Sequence, residues 1–187
     1  MVAGGDKRTR LVQAADDLVY RNGYASATLA DIAGAAGLPV GNVYYYFRTK
    51  ESLASAVIAT RGRGYAARRD DWDRTLQPRD RVLGFIAMSV DARRDLALSG
   101  CPIGSLCSEL QKPGSPLGAE AGQLFCEWLD WLGAQFEALG HSRRDAGAQS
   151  LHLLSRLQGA TLLARALRSV DVLVDEAARA SAWIESL

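Results

Sequence analysis

Three consecutive tyrosines, Tyr44, Tyr45 and Tyr46, follow Asn42 and precede Arg48 and Lys50. These side chains are the best equipped in the chain to act on a partner, by hydrogen bonding and charge rather than by breaking bonds. Phenol hydroxyls bond phosphate oxygens, a carboxamide pairs with base edges, and an ammonium neutralises a phosphate. At 100° per residue, Val43 and Phe47 share one helical face, with Val40 and Tyr46 on its borders. Gly41, Tyr45 and Arg48 point the opposite way, flanked by Asn42 and Tyr44. Three successive tyrosines cannot all face a core on a helix, so this surface suits DNA better than it suits packing. Gly41 permits close approach of the backbone, and Lys50 falls where a next helix starts, with free N–H groups beside its ammonium.

The residues just upstream supply a support for that helix. Thr28 is a good N-cap, and Asp31 three residues on resembles its capping-box partner. Leu29, Ile32, Ala33 and Ala36 recur at helical spacing on one face. Gly37 sits where the first helix must stop in a left-handed turn, and Pro39 is placed to open the second near its first position. Ala33 is small enough for two helices to cross closely, while Leu38, Val43 and Phe47 fill the angle between them. Together these residues predict a helix-turn-helix.

TLADIAGAAGL followed by GNVYYYFRTKESL resembles the TetR family of transcriptional regulators, over about the first quarter of the chain. The resemblance implies that Thr28, Tyr44, Tyr46 and Lys50 contact phosphates and that Val40, Gly41, Asn42 and Tyr45 lie against base edges. Pro39 stands where the family often has Ser, and Tyr46 where it often has His; both still fit a helix start and a phosphate donor. By the same resemblance the chain is all-α, with about nine helices. An N-terminal DNA-binding domain spans residues 1–50, and a ligand-binding and dimerisation domain spans residues 51–187.

Composition agrees with a folded domain and gives no global case for nucleic acid. The 187 residues are 48% hydrophobic and 23% charged, with net charge +1. Attraction to DNA must therefore be local, from Lys7, Arg8 and Arg10 and from Arg48 and Lys50. Arginines 61, 63, 68, 69 and 74 interleave with Asp70, Asp71 and Asp73, the pattern of a solvated helix face. No apolar run approaches the ~20 residues that span a bilayer, and the N-terminus lacks a signal-peptide core, so a cytoplasmic location without membrane partners is expected. Cys101, Cys107 and Cys126 form no CxxC pair, and His141 and His152 are not spaced with them as zinc ligands. No metal, cofactor or disulfide framework is expected.

Every long periodic segment is helical. The first helix is predicted over 7–21, with Leu11, Ala14, Ala15, Leu18 and Val19 inward and Gly23 as its stop. A fourth runs from Lys50 toward Arg74 with Leu53, Val57 and Ile58 inward, weakened by Gly62 and Gly64. After Pro78 a helix over 80–95 is built around Leu83, Ile86, Ala87 and Val90. A short helix follows Pro102, a break covers 112–116, and long helices follow at 117–139, 144–168 and 172–186.

The helix around Trp128 carries Leu124, Phe125, Cys126, Leu129, Trp131 and Leu132, an apolar arc wide enough to predict burial on several sides. Phe85, Met88, Cys101, Leu106, Phe125, Trp128 and Trp131 are candidate liners of a pocket for a small apolar or aromatic effector; plain core packing is the alternative. Cys101 stands before Pro102 at a helix start, where the dipole favours thiolate, so an electrophile- or oxidant-sensing role is a second reading. Leu173, Ala177, Ala180 and Ile184, with Leu154 and Leu157 on the preceding helix, form stripes expected to make a four-helix homodimer interface. A two-fold dimer matches a palindromic double-stranded operator with half-sites roughly 34 Å apart. The resulting expectation is a dimeric, ligand-responsive repressor that is not an enzyme. Its rivals are a helical small-molecule binder and a Cys101-dependent enzyme, the latter without a recognisable His partner.

Overall fold

The protein is described by a computed structural model over residues 6–111 and 115–187. Among these residues lie ten α-helices and no strand. They are α1 (Lys7–Asn22), α2 (Leu29–Ala35), α3 (Val40–Tyr46), α4 (Lys50–Thr75) and α5 (Pro78–Asp91). There follow α6 (Arg93–Ser99), α7 (Pro102–Leu110), α8 (Pro116–Ala138), α9 (Arg143–Leu167) and α10 (Asp171–Glu185). The sequence expectation of one helix over 80–95 is corrected by Ala92. Its ψ of 7° takes the chain off the helical path, so α5 ends and α6 begins. The expected break at 112–116 lies partly outside the described residues; on its far side Ser115 Oγ accepts the Gly118 N–H at 3.1 Å as α8 begins.

The chain divides into two compact units, Met1–Tyr65 with Ser105–Gly122, and Ala66–Gly104 with Gln123–Leu187. In the first, α1 buries Leu11, Val12, Ala14, Ala15 and Val19, while Leu18 is only half-buried. Gly23 ends this helix at φ +86°, a region costly for any residue with a Cβ. Leu53, Ala54, Val57 and Ile58 are the buried face of α4. Arg61 departs from the expected solvated face: its Nε pairs with Asp16 Oδ1 at 2.5 Å and its guanidinium lies 5.6 Å from the Tyr20 ring centroid. The start of α8 packs tightly on the end of α7, since a Cβ on Gly118 would come within 2.8 Å of the Leu110 carbonyl oxygen.

In the second unit α10 packs against α5 and α9, and α9 against α6. The inward face of α5 is Val82, Phe85 and Ile86; Leu83 and Val90 are half-buried and Ala87 is exposed, a rotation from the predicted face. On α8, Leu124, Trp128, Leu132 and Phe136 form a single buried stripe at intervals of four, while Cys126 is exposed and Phe125, Leu129 and Trp131 are half-buried. The expected burial on several sides is therefore corrected to one face. The residues expected to form a dimer stripe lie on the inner side of the chain's own packing. Leu154, Leu157, Leu173, Ala177, Ala180 and Ile184 are all buried within their own protomer. Leu173 joins Leu96, Ala160 and Ala164 in one apolar cluster. Burying a leucine or isoleucine is worth about 1.5–3 kcal/mol, so α10 spends this stripe on intramolecular packing before any partner arrives.

Candidate nucleic-acid interface

The support helix α2 starts with the full reciprocal cap that its sequence suggested. Thr28 Oγ1 accepts the Asp31 N–H at 3.1 Å, and Asp31 Oδ2 accepts the Thr28 N–H at 3.3 Å and the Thr28 hydroxyl at 2.6 Å. These bonds, the side-chain one first, hold the Asp31 carboxyl below its ordinary range. Thr28 thus commits its hydroxyl proton to its own helix. Beyond α2, Gly37 takes φ +63°, and the Leu38 N–H donates to the Ala33 carbonyl at 2.9 Å. Pro39, at ψ 143°, is the N-cap rather than the first helical residue, because its extended ψ delays the helix to Val40.

Two arginines that the sequence marked as attractors of DNA brace this motif. Arg10 Nη2 donates to the Ala36 carbonyl at 2.5 Å, satisfying an orphan acceptor at the end of α2. Arg8 lies 5.2 Å from the Phe47 ring centroid. Val43 on α3 and Phe47, the extended residue that ends it, are buried, so α3 is pinned at its inner face and at its C-terminus. Phe47 thereby leaves the helical face the sequence predicted for it. The other face of α3 is bare: Tyr45 is 79% exposed, Tyr44 57% and Val40 45%. Gly41 is also exposed, with open space where a Cβ would stand, whereas Asn42 and Tyr46 are half-buried. Tyr46 sets its ring edge-on to Tyr45 at 4.9 Å, holding the more exposed phenol upright.

Lys50 opens α4 four residues after α3 ends. Thr49 caps that helix through a reciprocal pair, its Oγ1 accepting the Ser52 N–H at 3.1 Å and Ser52 Oγ accepting the Thr49 N–H at 3.3 Å. The Lys50 ammonium donates to the Ala25 carbonyl at 3.1 Å and lies 4.5 Å over the Tyr24 ring. An ammonium has three donors, so these contacts orient it and leave capacity for a phosphate. Burial, and then the neighbouring Glu51 carboxylate, push the Tyr24 phenol up. The result is a short helix pinned by apolar and cationic contacts behind, with phenols, glycine backbone and an oriented ammonium in front.

Comparison with known proteins agrees with this geometry. Residues 11–57 match the model of the tetR family of bacterial regulatory proteins, and residues 80–179 match the C-terminal domain of LmrA/YxaF-like transcriptional regulators. The chain belongs to the TetR family. Across 166 residues it is 24% identical to YxaF, an HTH-type transcriptional regulator of Bacillus subtilis, covering 87% of each chain. It is 25% identical over 163 residues to LmrA of the same organism, covering 85% of this chain and 86% of that one. Its fold superposes on a TetR regulator from Legionella pneumophila with TM-score 0.86 at 23% identity, over 100% of this chain and 98% of that one. With reduced NemR from Escherichia coli the TM-score is 0.78 at 21% identity, over 94% and 96% of the two chains.

In this TetR-family regulator the candidate effector residues fall in both units. Leu106 is buried in the first; Phe85, Met88, Cys101, Phe125, Trp128 and Trp131 belong to the second. There Phe85 packs 4.8 Å from Trp128, and Trp131 stands edge-on to Trp128 at 5.7 Å. The Trp131 indole N–H donates to both Asp73 carboxylate oxygens, at 3.0 and 3.2 Å, so its donor is already used. Met88 and Phe125 are half-buried. Sequence reasoning missed Trp72, whose ring is 5.6 Å from that of Trp131 and 6.3 Å from that of Trp128. Its neighbouring charges masked it. Arg69, assigned to the same solvated run, bonds Glu127 Oε2 at 3.0 Å and lies 5.0 Å over Trp128. Its Nη1 is buried with no hydrogen-bond partner among the described residues. Cys101 Sγ accepts the Gly104 N–H at 3.4 Å, so the thiol serves as the cap of α7.

Proposed function

We propose that this regulator is a homodimeric repressor that grips a palindromic operator with paired α3 helices and is released by a small effector. The observation that carries the reading is the exposed outer face of α3, where the two most exposed tyrosines project from a helix fixed by Val43 on its inner face and by buried Phe47 at its end. Tyr45, Val40, Gly41 and Asn42 meet base edges; Tyr44, Tyr46 and Lys50 meet phosphates. Thr28 orders α2 through its cap and reaches phosphate only by exchanging its bond to Asp31. Residues 1–50 form the reading domain and 51–187 the effector and dimer domain. The protein acts without catalysis in the cytoplasm; no helix among the described residues is long and apolar enough to cross a membrane.

A second copy of the chain is the occupant proposed for the outer face of α9. Leu151, Leu162, Leu163 and Leu167 are exposed there, across an arc of roughly 160° opposite the buried one. Gly159 on that side has open space at the Cβ position, which permits close backbone approach. The effector is a planar aromatic or apolar molecule received beside Trp72, Phe85 and Trp128, with the unpartnered Arg69 Nη1 as its polar anchor. The capping thiol of Cys101 favours a second route to release, because an adduct adds bulk to the Sγ that accepts the Gly104 N–H and crowds the start of α7. Unchanged release by electrophiles in Cys101→Ser removes that route.

Selection of duplexes from a random library tests the main reading. The expected product is a two-fold symmetric site bound in a salt-sensitive manner. Recovery of no preferred sequence would refute it.

A further inference from the structure

Glu109, in the last turn of α7, lies beside the loop between α1 and α2 and has no part in the contacts so far assigned to DNA. Its Oε2 accepts the Ala25 N–H at 3.1 Å. The carbonyl of the same residue, Ala25, accepts the Lys50 ammonium at 3.1 Å. One loop residue is thus held at both of its backbone polar groups, by a carboxylate from α7 and by the first side chain of α4. The loop is also shaped around the carboxylate. Gly23 has φ +86°, and a Cβ there would stand 3.1 Å from each Glu109 oxygen, so the backbone comes as close as a side-chain-free residue allows.

We infer that Glu109 is a positioning residue for DNA binding: it fixes Ala25, and through the Ala25 carbonyl it aims the Lys50 ammonium at the phosphate backbone. A lysine carries large rotamer freedom, so an ammonium aimed before DNA arrives loses less entropy on contact. The carboxylate opposes DNA by charge yet favours it by placement. Reach and charge therefore make opposite predictions, and two conservative variants separate them. Glu109→Gln removes the charge and keeps an acceptor oxygen at the same reach. Glu109→Asp keeps the charge and withdraws the oxygen by one methylene.

The inference rests on the DNA-reading assignment, and the experiment distinguishes the two. Affinity for a duplex selected by the wild-type protein, and for a scrambled duplex, is measured across a salt series for wild type, both Glu109 variants, Lys50→Ala and Lys50→Ala combined with Glu109→Asp. Thermal melts establish that each is folded. Positioning predicts that Glu109→Gln stays within about twofold of wild type, whereas Glu109→Asp weakens binding about three- to tenfold. It also predicts a salt slope reduced by about one in Glu109→Asp, and no further reduction when Lys50 is already alanine. Wild-type affinity in Glu109→Asp, or tighter binding in Glu109→Gln with no change in Glu109→Asp, overturns the inference. If wild type fails to discriminate the selected from the scrambled duplex, the DNA-reading assignment falls first and takes the inference with it.

Discussion

Replacing Leu162 by glutamate on the outer face of α9 should separate the proposed dimer while leaving each protomer folded. Leu151, Leu162, Leu163 and Leu167 are 55%, 68%, 52% and 65% exposed, so each has about half to two-thirds of its burial still to gain. At about 1.5–3 kcal/mol for a fully buried leucine, that is about 1–2 kcal/mol each. Four leucines on each of two protomers then offer about 8–16 kcal/mol against an association cost of about 4–15 kcal/mol. The balance is narrow enough that one residue decides it. Leu162→Glu forfeits about 1–2 kcal/mol on each side and brings a carboxylate from each protomer into a desolvated contact. Even a combined loss of about 4 kcal/mol weakens association roughly a thousandfold. Sedimentation at micromolar concentration should show wild type at twice the 20.1 kDa chain mass and the variant at the chain mass. Leu173→Ala is the internal control. Its side chain is fully buried against Leu96, Ala160 and Ala164, so it should lower folding stability by about 2–5 kcal/mol. A monomeric wild type, or a Leu162→Glu protein that sediments as wild type does, would refute the reasoning.

Three further outcomes follow from the first unit. Gly118→Ala places a methyl 2.8 Å from the Leu110 carbonyl oxygen, a backbone atom, and should lower stability by about 1–3 kcal/mol in a denaturant titration despite the better helix propensity of alanine. Thr28→Ala removes the bonds that hold the Asp31 carboxyl below its ordinary range. An NMR titration should show that pKa returning upward toward the ordinary carboxylate range. With a folded pKa below the unfolded one, the contribution of Asp31 is complete above the ordinary carboxylate value and vanishes as pH falls through the lowered one. The acid-side decline of stability should therefore be shallower in Thr28→Ala. Arg10→Met keeps an apolar stem but leaves the Ala36 carbonyl without its 2.5 Å donor, and it should weaken operator binding severalfold with little change in the melting of α9 and α10.

The helix-turn-helix was legible because its constraints are local. Thr28 and Asp31 need only three residues to meet, Gly37 answers to its own φ, and the opposed faces of α3 follow from helical geometry. What escaped the sequence depends on partners far along the chain. Arg10 meets Ala36, Arg61 meets Asp16, and Arg69 meets Glu127; each reads locally as one more surface charge. Glu109 carried no signal, since its partner is a backbone N–H 84 residues away. The outward arc of α9 escaped for another reason. A helix apolar on both arcs, as α9 is, has a periodicity that cannot say which arc the protomer uses for itself. Leu154 and Leu157 went inward, which left Leu162 and Leu167 outside. On α5, Phe85 drew the inward face toward Trp128 and away from Ala87.

The central claim is that the exposed face of α3 reads sequence. The most direct measurement compares the affinity of wild type and Tyr45→Ala for the selected duplex and for random DNA in the same salt. Tyr45 touches its neighbour Tyr46 but is otherwise 79% open, so truncation should leave folding intact. The account predicts that specific binding weakens about 5- to 150-fold, equivalent to about 1–3 kcal/mol, while random DNA binds almost as before. Equal losses on both duplexes, or no loss on either, would contradict it.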